Sequence, residues 1–155
     1  MEIEKKFLVS FIPGGIEKYR KREITQTYIS TDPTIRLRKS DGFYILTVKG
    51  KGQIAREELE IPLDERQYTN LLRKTETPAV IKTRYEIPIE NGLTAELDVY
   101  HGELTGLFTV EVEFQTIEQA ESFIPPKWFS SDISLDKRYK NTHLALYGMP
   151  KDEII

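Results

Sequence analysis

The chain has 155 residues, 39% of them hydrophobic and 30% charged, with a net charge of −3. That composition suits one domain with a real core and excludes whole-chain disorder, and the acidic balance disfavours nucleic acid and anionic membrane as partners. No cysteine and two histidines (His101 and His143) exclude a disulfide framework, a cysteine-rich zinc site and a cysteine nucleophile.

In chain order, Glu2-Ile3-Glu4-Lys5-Lys6-Phe7 alternates charged and apolar side chains and predicts a strand over 2–9. A short helix follows Pro13, over 13–20. Strands over 23–30 and 34–40 carry Tyr28 and then Arg36 and Arg38. Asp41-Gly42 signals a hairpin into 43–49, which ends on Thr47 and Lys49. Lys49-Gly50-Lys51-Gly52 turns the chain into 54–61, where Arg56, Glu58 and Glu60 alternate. Asp64 opens a helix that runs to Lys74, with Tyr68, Leu71 and Leu72 at helical spacing. Strands over 80–88 and 94–100, joined at Asn91-Gly92, carry Lys82, Arg84 and Glu86, then Glu96 and Asp98. A strand over 107–115 carries Glu111 and Glu113. Thr116 starts a helix that stops at Phe123, before Pro125-Pro126. A last helix covers 135–147, with Leu135, Tyr139, Leu144 and Leu146 as its apolar side. Trp128 and Phe129 pack a loop onto the strands, and His101 and His143 read as surface residues. The expectation is a single domain, 1–155, without long-period repeats, low-complexity tracts or linkers.

Successive strand side chains point to opposite faces, so each of these strands has one face rich in full charges. Two packings satisfy that pattern. The apolar faces can meet as a sandwich core with the charges in water. Alternatively, the apolar faces point outward beneath helices and the charges line the inside of a barrel. The signs favour the barrel. Glu2/Glu4, Glu58/Glu60, Glu96/Asp98 and Glu111/Glu113 are like-charge pairs two residues apart, which repel. Gathered around a lumen beside Arg36/Arg38 and Lys82/Arg84, they form a place where a cation and an anion bind together. Buried charges persist when paired or metal-bound.

The residues that set this pattern also resemble a known family. Glu2-Ile3-Glu4-Lys5-Lys6 is similar to the Glu-x-Glu-x-Lys signature of the CYTH domain, or triphosphate tunnel metalloenzymes. The likeness continues through Tyr28, Arg36/Arg38, Thr47-Val48-Lys49, the run Arg56 to Glu60, Lys82-Thr83-Arg84-Tyr85, Glu96-Leu97-Asp98-Val99, Val110 to Phe114 and Asp136 to Asn141. The resemblance, closest in form to the small bacterial inorganic tripolyphosphatases, implies a mainly β, α+β fold. Its centre would be an eight-stranded antiparallel closed barrel with a charged interior and a few helices outside. It further implies binding of a small-molecule triphosphate with a divalent ion, Mg²⁺ or Mn²⁺.

The side-chain chemistry agrees. A polyphosphate needs several cations spaced along it, and arginine grips two oxygens at once. Lys6, Arg36, Arg38, Lys49, Lys82 and Arg84 are the candidates. Lys137 and Arg138 either close one mouth of the tunnel or form a surface cluster. Carboxylates suit a hard cation; Glu2 and Glu4 with Glu111 or Glu113 would supply them, and the resemblance points to Glu113. Glu58, Glu60, Glu96 and Asp98 either orient the bases or hold a second ion, and Tyr28 either touches substrate or packs. The expected reaction is hydrolysis of a terminal phosphoanhydride of inorganic tripolyphosphate. Competing readings are a class IV adenylate cyclase, a nucleoside or thiamine triphosphatase, and a polyphosphate- or nucleotide-binding module without turnover. The N-terminus lacks a signal-peptide apolar run, and no stretch nears the ~20 apolar residues of a membrane span. A cytoplasmic monomer or homodimer is the expectation.

Overall fold

In the computed structural model the described residues are 1–52 and 54–151; the last residues of the expected single domain, 152–155, lie outside them. Among the described residues ten strands form one antiparallel sheet: β1 (Glu2–Val9), β2 (Arg20–Thr31), β3 (Thr34–Ser40), β4 (Phe43–Lys49), β5 (Ala55–Arg56), β6 (Glu58–Leu63), β7 (Val80–Pro88), β8 (Thr94–Tyr100), β9 (Phe108–Glu113) and β10 (Phe129–Asp132). The order is β10-β1-β9-β8-β7-β2-β3-β4-β6, and β5 pairs back onto β1. The predicted strand over 54–61 is therefore two strands serving two neighbours. Glu57 lies between them, and its carbonyl accepts a hydrogen bond from the Gly50 amide at 2.8 Å. Before that break, Ala55 and Arg56 pair with Ile3 and Glu2; after it, Glu58 to Leu63 pair with β4. The break lets one run of chain close the ring. With β5 and β6 taken as one, eight strands form the barrel, and β10 adds a short strand beside the far half of β1.

The turns fall where local chemistry requires. Asp41 takes φ 54° in the hairpin, and its side chain accepts the Glu23 amide at 3.0 Å. Gly52 takes φ 126°, and a Cβ there would run into the Ala55 carbonyl. Glycine is the residue that turns the chain this tightly into β5.

Helix α1 (Glu65–Leu72) opens with a capping box in which Asp64 and Gln67 bond reciprocally. It lies over the outside of β2, β3, β4 and β6, with the Tyr68 and Tyr44 rings 4.7 Å apart. Helix α2 (Ile117–Glu121), capped by Thr116, belongs to an apolar layer outside β1, β8 and β9 that contains Phe7, Leu97, Val110, Val112, Phe114, Trp128 and Phe129. This apolar layer thus packs outside the ring, and the alternating charges of these strands point into it.

Two predicted helices are shorter than expected. The segment after Pro13 makes one 3-10 turn (Ile16–Lys18), because Gly15 enters it left-handed at φ 71° and Tyr19 leaves it extended. The stretch 135–147 breaks at Lys140, whose backbone is extended. A 3-10 turn (Lys137–Tyr139) precedes the break and helix α3 (Asn141–Tyr147) follows it. The break ends the helical period, so Leu135 and Leu146 face solvent while Leu144 and Ala145 are buried. Helix α3 packs by β2 and β7, where Leu144 and Ala145 join Tyr28, Val80, Tyr100, Leu104 and Leu107. Among the described residues no helix is long and apolar enough to cross a membrane.

Candidate active site

Strand register determines which charges meet. Glu4 stands opposite Glu113 and Lys6 opposite Glu111. Glu96 lies between Glu86 and Glu111, and Asp98 lies opposite Arg84. Gln26 faces Arg38 and Tyr28 faces Arg36. Arg36 faces Thr47, Lys49 faces Glu58 and Thr47 faces Glu60. All of these are inward positions. Of these, Glu4, Lys6, Tyr28, Arg36, Arg38, Lys49, Arg84 and Glu111, with Arg56, line a cavity of about 660 Å³. Lys137, Tyr139 and Lys140 reach it from the turn before α3. A second cavity, of about 1020 Å³, opens at the other end of the barrel beside Glu86, Glu96 and Glu113.

One wall is an ion-pair network. Asp98, buried, accepts Arg84 in a two-bond fork at 2.7 and 2.9 Å and meets Lys82 Nζ at 2.7 Å. Arg84 also lies 3.4 Å from Glu96 and 3.9 Å from Glu111. Glu111 in turn is 3.8 Å from Lys6 Nζ, which donates to the Tyr139 carbonyl at 2.6 Å. Burial works against charge on Asp98, but Arg84 and Lys82 outweigh it and hold the carboxyl well below the usual range. Burial is likewise overcome at Glu111, where Arg84 and Lys6 hold the carboxyl at about 2.

The acidic wall carries more negative than positive charge, although Lys49 meets Glu2 and Arg56 meets Glu2 and Glu4. Burial pushes Glu4 up to about 8, with Glu111 and Glu2 adding to the effect. Glu2 is raised by burial and by Glu58, and Glu113 by burial and by Glu2, Glu96 and Glu58. Their nearby cations, Lys49 at 3.3 Å and Arg56 at 3.4 Å from Glu2, do not offset this. The opposite wall lacks negative charge. Arg36 is buried, donates to Thr47 Oγ1 at 3.2 Å and leaves its Nε without a partner. Arg38 donates to Gln26 Oε1 at 3.2 and 2.9 Å. Neither guanidinium has an ion-pair partner among the described residues. Burial, with Arg36 and Arg84 nearby, pulls Arg38 down to about 9, and burial and Arg36 lower Lys49.

Most of the predicted residues converge, and a few do not. Lys82 and Asp98 are wholly buried in the network, behind the cavity lining. Glu58 is half-buried, and Glu60 is exposed although it has inward parity. β6 has β4 as its partner and, among the described residues, no strand on its other edge. Lys137 lines the cavity, whereas Arg138 is held by Asp136 at 2.8 Å outside it. Gln26, Lys51 and Lys140 were not singled out by sequence, and Thr47 was placed on the charged face without a role. Gln26 and Thr47 share a face with Tyr28 and Lys49, two residues away, and that parity is the signal that finds them.

Oxygen donors such as these fit a hard divalent cation, and the raised carboxyls of Glu2, Glu4 and Glu113 show a wall that a cation would relieve. Among the described residues no three acidic or imidazole groups stand together as a finished cage. That suits an ion that takes its remaining ligands from water and from substrate phosphates.

The CYTH domain family model matches residues 1–125. The chain belongs to the CYTH domain family. An inorganic triphosphatase of Nitrosomonas europaea is 43% identical over 94% of this chain and 97% of its own. An inorganic triphosphatase of Acetivibrio thermocellus is 34% identical over 93% and 92%. A crystal structure of an inorganic triphosphatase aligns with TM-score 0.70 and 41% identity, over 94% of this chain and 95% of that one. A Hippeastrum protein with a dominant triphosphatase activity aligns with TM-score 0.60, over 78% and 83%; at 15% identity it speaks for the fold alone.

Proposed function

We propose that this CYTH protein hydrolyses a terminal phosphoanhydride of inorganic tripolyphosphate, releasing phosphate and pyrophosphate, with Mg²⁺ or Mn²⁺ as cofactor. The observation that carries the reading is one cavity lined both by Glu4, whose carboxyl burial pushes up, and by Arg36 and Arg38, guanidiniums with no ion-pair partner among the described residues. A polyanion with its metal ion satisfies both walls at once. The names of the two relatives similar along nearly the whole chain support the same choice.

Arg36 and Arg38 grip phosphate oxygens, each able to fork two of them. Lys6, Lys49 and Lys137 extend the basic lining along the chain of phosphates. Arg84 presents part of its guanidinium to the cavity while Asp98 holds the rest, so its orientation is set before substrate arrives. Lys82 completes that hold on Asp98 from behind. Glu2, Glu4 and Glu113 would hold the divalent ion, and Glu58, beside Glu2, would help hold a second. When bound, such an ion neutralises phosphate charge and lowers the pKa of a coordinated water. The remaining parts of the proposal are a cytoplasmic monomer or homodimer, with no nucleic-acid or membrane partner.

The test is a substrate panel. Phosphate release is followed from tripolyphosphate, ATP and thiamine triphosphate, with Mg²⁺ or Mn²⁺ and with chelator. Preferred, chelator-sensitive turnover of tripolyphosphate is expected. Cyclic AMP formed from ATP would overturn the reading in favour of a cyclase; tight binding without release would leave a binding module.

A further inference from the structure

We propose that Gln26 is a positioning residue that sets two donors, Arg38 and the Tyr28 hydroxyl, toward the same bound anion; this rests on the phosphate-binding reading above. Gln26 is a wholly buried polar side chain on β2, facing Arg38 across the strand pair. Its Oε1 accepts from Arg38 Nε and Nη2 at 3.2 and 2.9 Å. Its Nε2 donates to the Tyr28 hydroxyl at 3.1 Å.

Chemistry fixes the sense of this network. A guanidinium has donors and no acceptor, so the amide must turn its oxygen to Arg38. Its NH₂ then faces Tyr28, and the phenol oxygen becomes an acceptor. The phenol hydrogen is left to point elsewhere. Tyr28 is buried and lines the cavity, and no protein acceptor for that hydrogen is seen among the described residues. The direction left for it is the cavity, where an anion oxygen would accept it.

A neutral amide matters here as much as its geometry. Arg84 is oriented by a carboxylate, which also cancels its charge. Gln26 holds Arg38 in place through two hydrogen bonds and cancels nothing, so the full charge stays available for phosphate. Thr47 does the same for Arg36 through a neutral hydroxyl. A carboxylate at position 26 would fit the same space and compete with the substrate from inside the wall.

The experiment compares wild type with Gln26→Glu, Gln26→Leu, Tyr28→Phe and the Leu/Phe double variant. It measures KM and kcat for tripolyphosphate, calorimetric binding of tripolyphosphate in chelator, and thermal melting. Gln26→Glu is expected to weaken binding about tenfold or more while melting no lower than wild type, since it strengthens the internal pair. Gln26→Leu and Tyr28→Phe are expected to couple, the double variant costing less than the product of the two singles. Unchanged KM and binding in Gln26→Glu would overturn the proposal. So would a Gln26→Leu protein whose sole defect is a lower melting temperature. A wild type that binds tripolyphosphate but never hydrolyses it removes the enzymatic reading and leaves the Gln26 comparison standing. A wild type that does not bind it overturns both.

Discussion

The two sides of this barrel treat positive charge in opposite ways. On the β7–β8–β9 side, Lys82 and Arg84 meet Asp98 at 2.7 Å, and Arg84 also has Glu96 and Glu111 nearby. On the β2–β3–β4 side, Arg36 and Arg38 meet a hydroxyl and an amide, at 3.2 Å and at 2.9–3.2 Å. The same residue type thus has its charge met by a carboxylate on one side and by no carboxylate on the other. A carboxylate ties a guanidinium into the protein. A neutral acceptor aims it and leaves its charge for a ligand.

The comparison breaks most visibly at Asp98. Its carboxylate is buried between two cations, and Asp98→Asn would leave Lys82 and Arg84 in a dry wall without their partner. A loss of about 3–5 kcal/mol in unfolding free energy is expected, read by chemical denaturation. The pH dependence has a definite sign. The folded carboxyl titrates well below its unfolded value, so its stabilisation is present above about pH 4 and is lost as pH falls further. The variant should therefore close most of its gap to wild type in acid.

Glu4 is the opposite case and comes next in size. Its folded pKa, about 8, lies above the ordinary 4.5, so the folded protein holds the proton more tightly than the unfolded chain. Without a divalent ion, stability should fall as pH rises from about 4.5 to 8. Glu4→Gln should remove the Glu4 share of that slope, melting above wild type at pH 8–9 in chelator. The same substitution should lower phosphate release at least about a hundredfold, because an amide is a poorer ligand for a hard cation. A variant more stable yet inactive separates a functional carboxylate from a structural one. Equal activity would sink the metal-side assignment.

Why some of this was legible in the sequence and some was not follows from the physics of strands. A period of two is unambiguous when the alternating residues are full charges, so Glu2/Glu4, Arg36/Arg38 and Glu96/Asp98 declare a face. Gln26 and Thr47 share that face but look like ordinary strand polars, and their importance appears when the partner across the sheet is known. Parity also fails to say how far along the barrel a residue sits. Lys82 and Arg84 have the same parity, yet one is sealed behind Asp98 while the other reaches the cavity. Glu60 has inward parity too, but it lies on an edge where no strand covers it. β10, Phe129-Ser130-Ser131-Asp132, is too short to alternate visibly. The C-terminal helix was expected in one piece because Leu135, Tyr139 and Leu146 fit a helical period, which the extended backbone at Lys140 interrupts.

The smallest expected effect lies at that interruption and sharpens the same contrast at the cavity mouth. Lys137 and Arg138 are adjacent in sequence, yet Lys137 lines the cavity and Arg138 is paired with Asp136 at 2.8 Å, about half-exposed. An exposed pair of this kind contributes little to stability, and its charge is already met. Lys137→Ala should raise KM for tripolyphosphate by about three- to tenfold with kcat nearly constant, since it removes one remote phosphate contact. Arg138→Ala should change KM by less than about twofold. The measurement is steady-state kinetics at low and high salt, because a base in contact with phosphate makes KM rise as salt screens the contact, and a base that touches no phosphate adds nothing to that rise. If Arg138→Ala proves the more damaging of the two, a carboxylate partner does not mark a base as structural, and the division between the two walls of the barrel loses its rule.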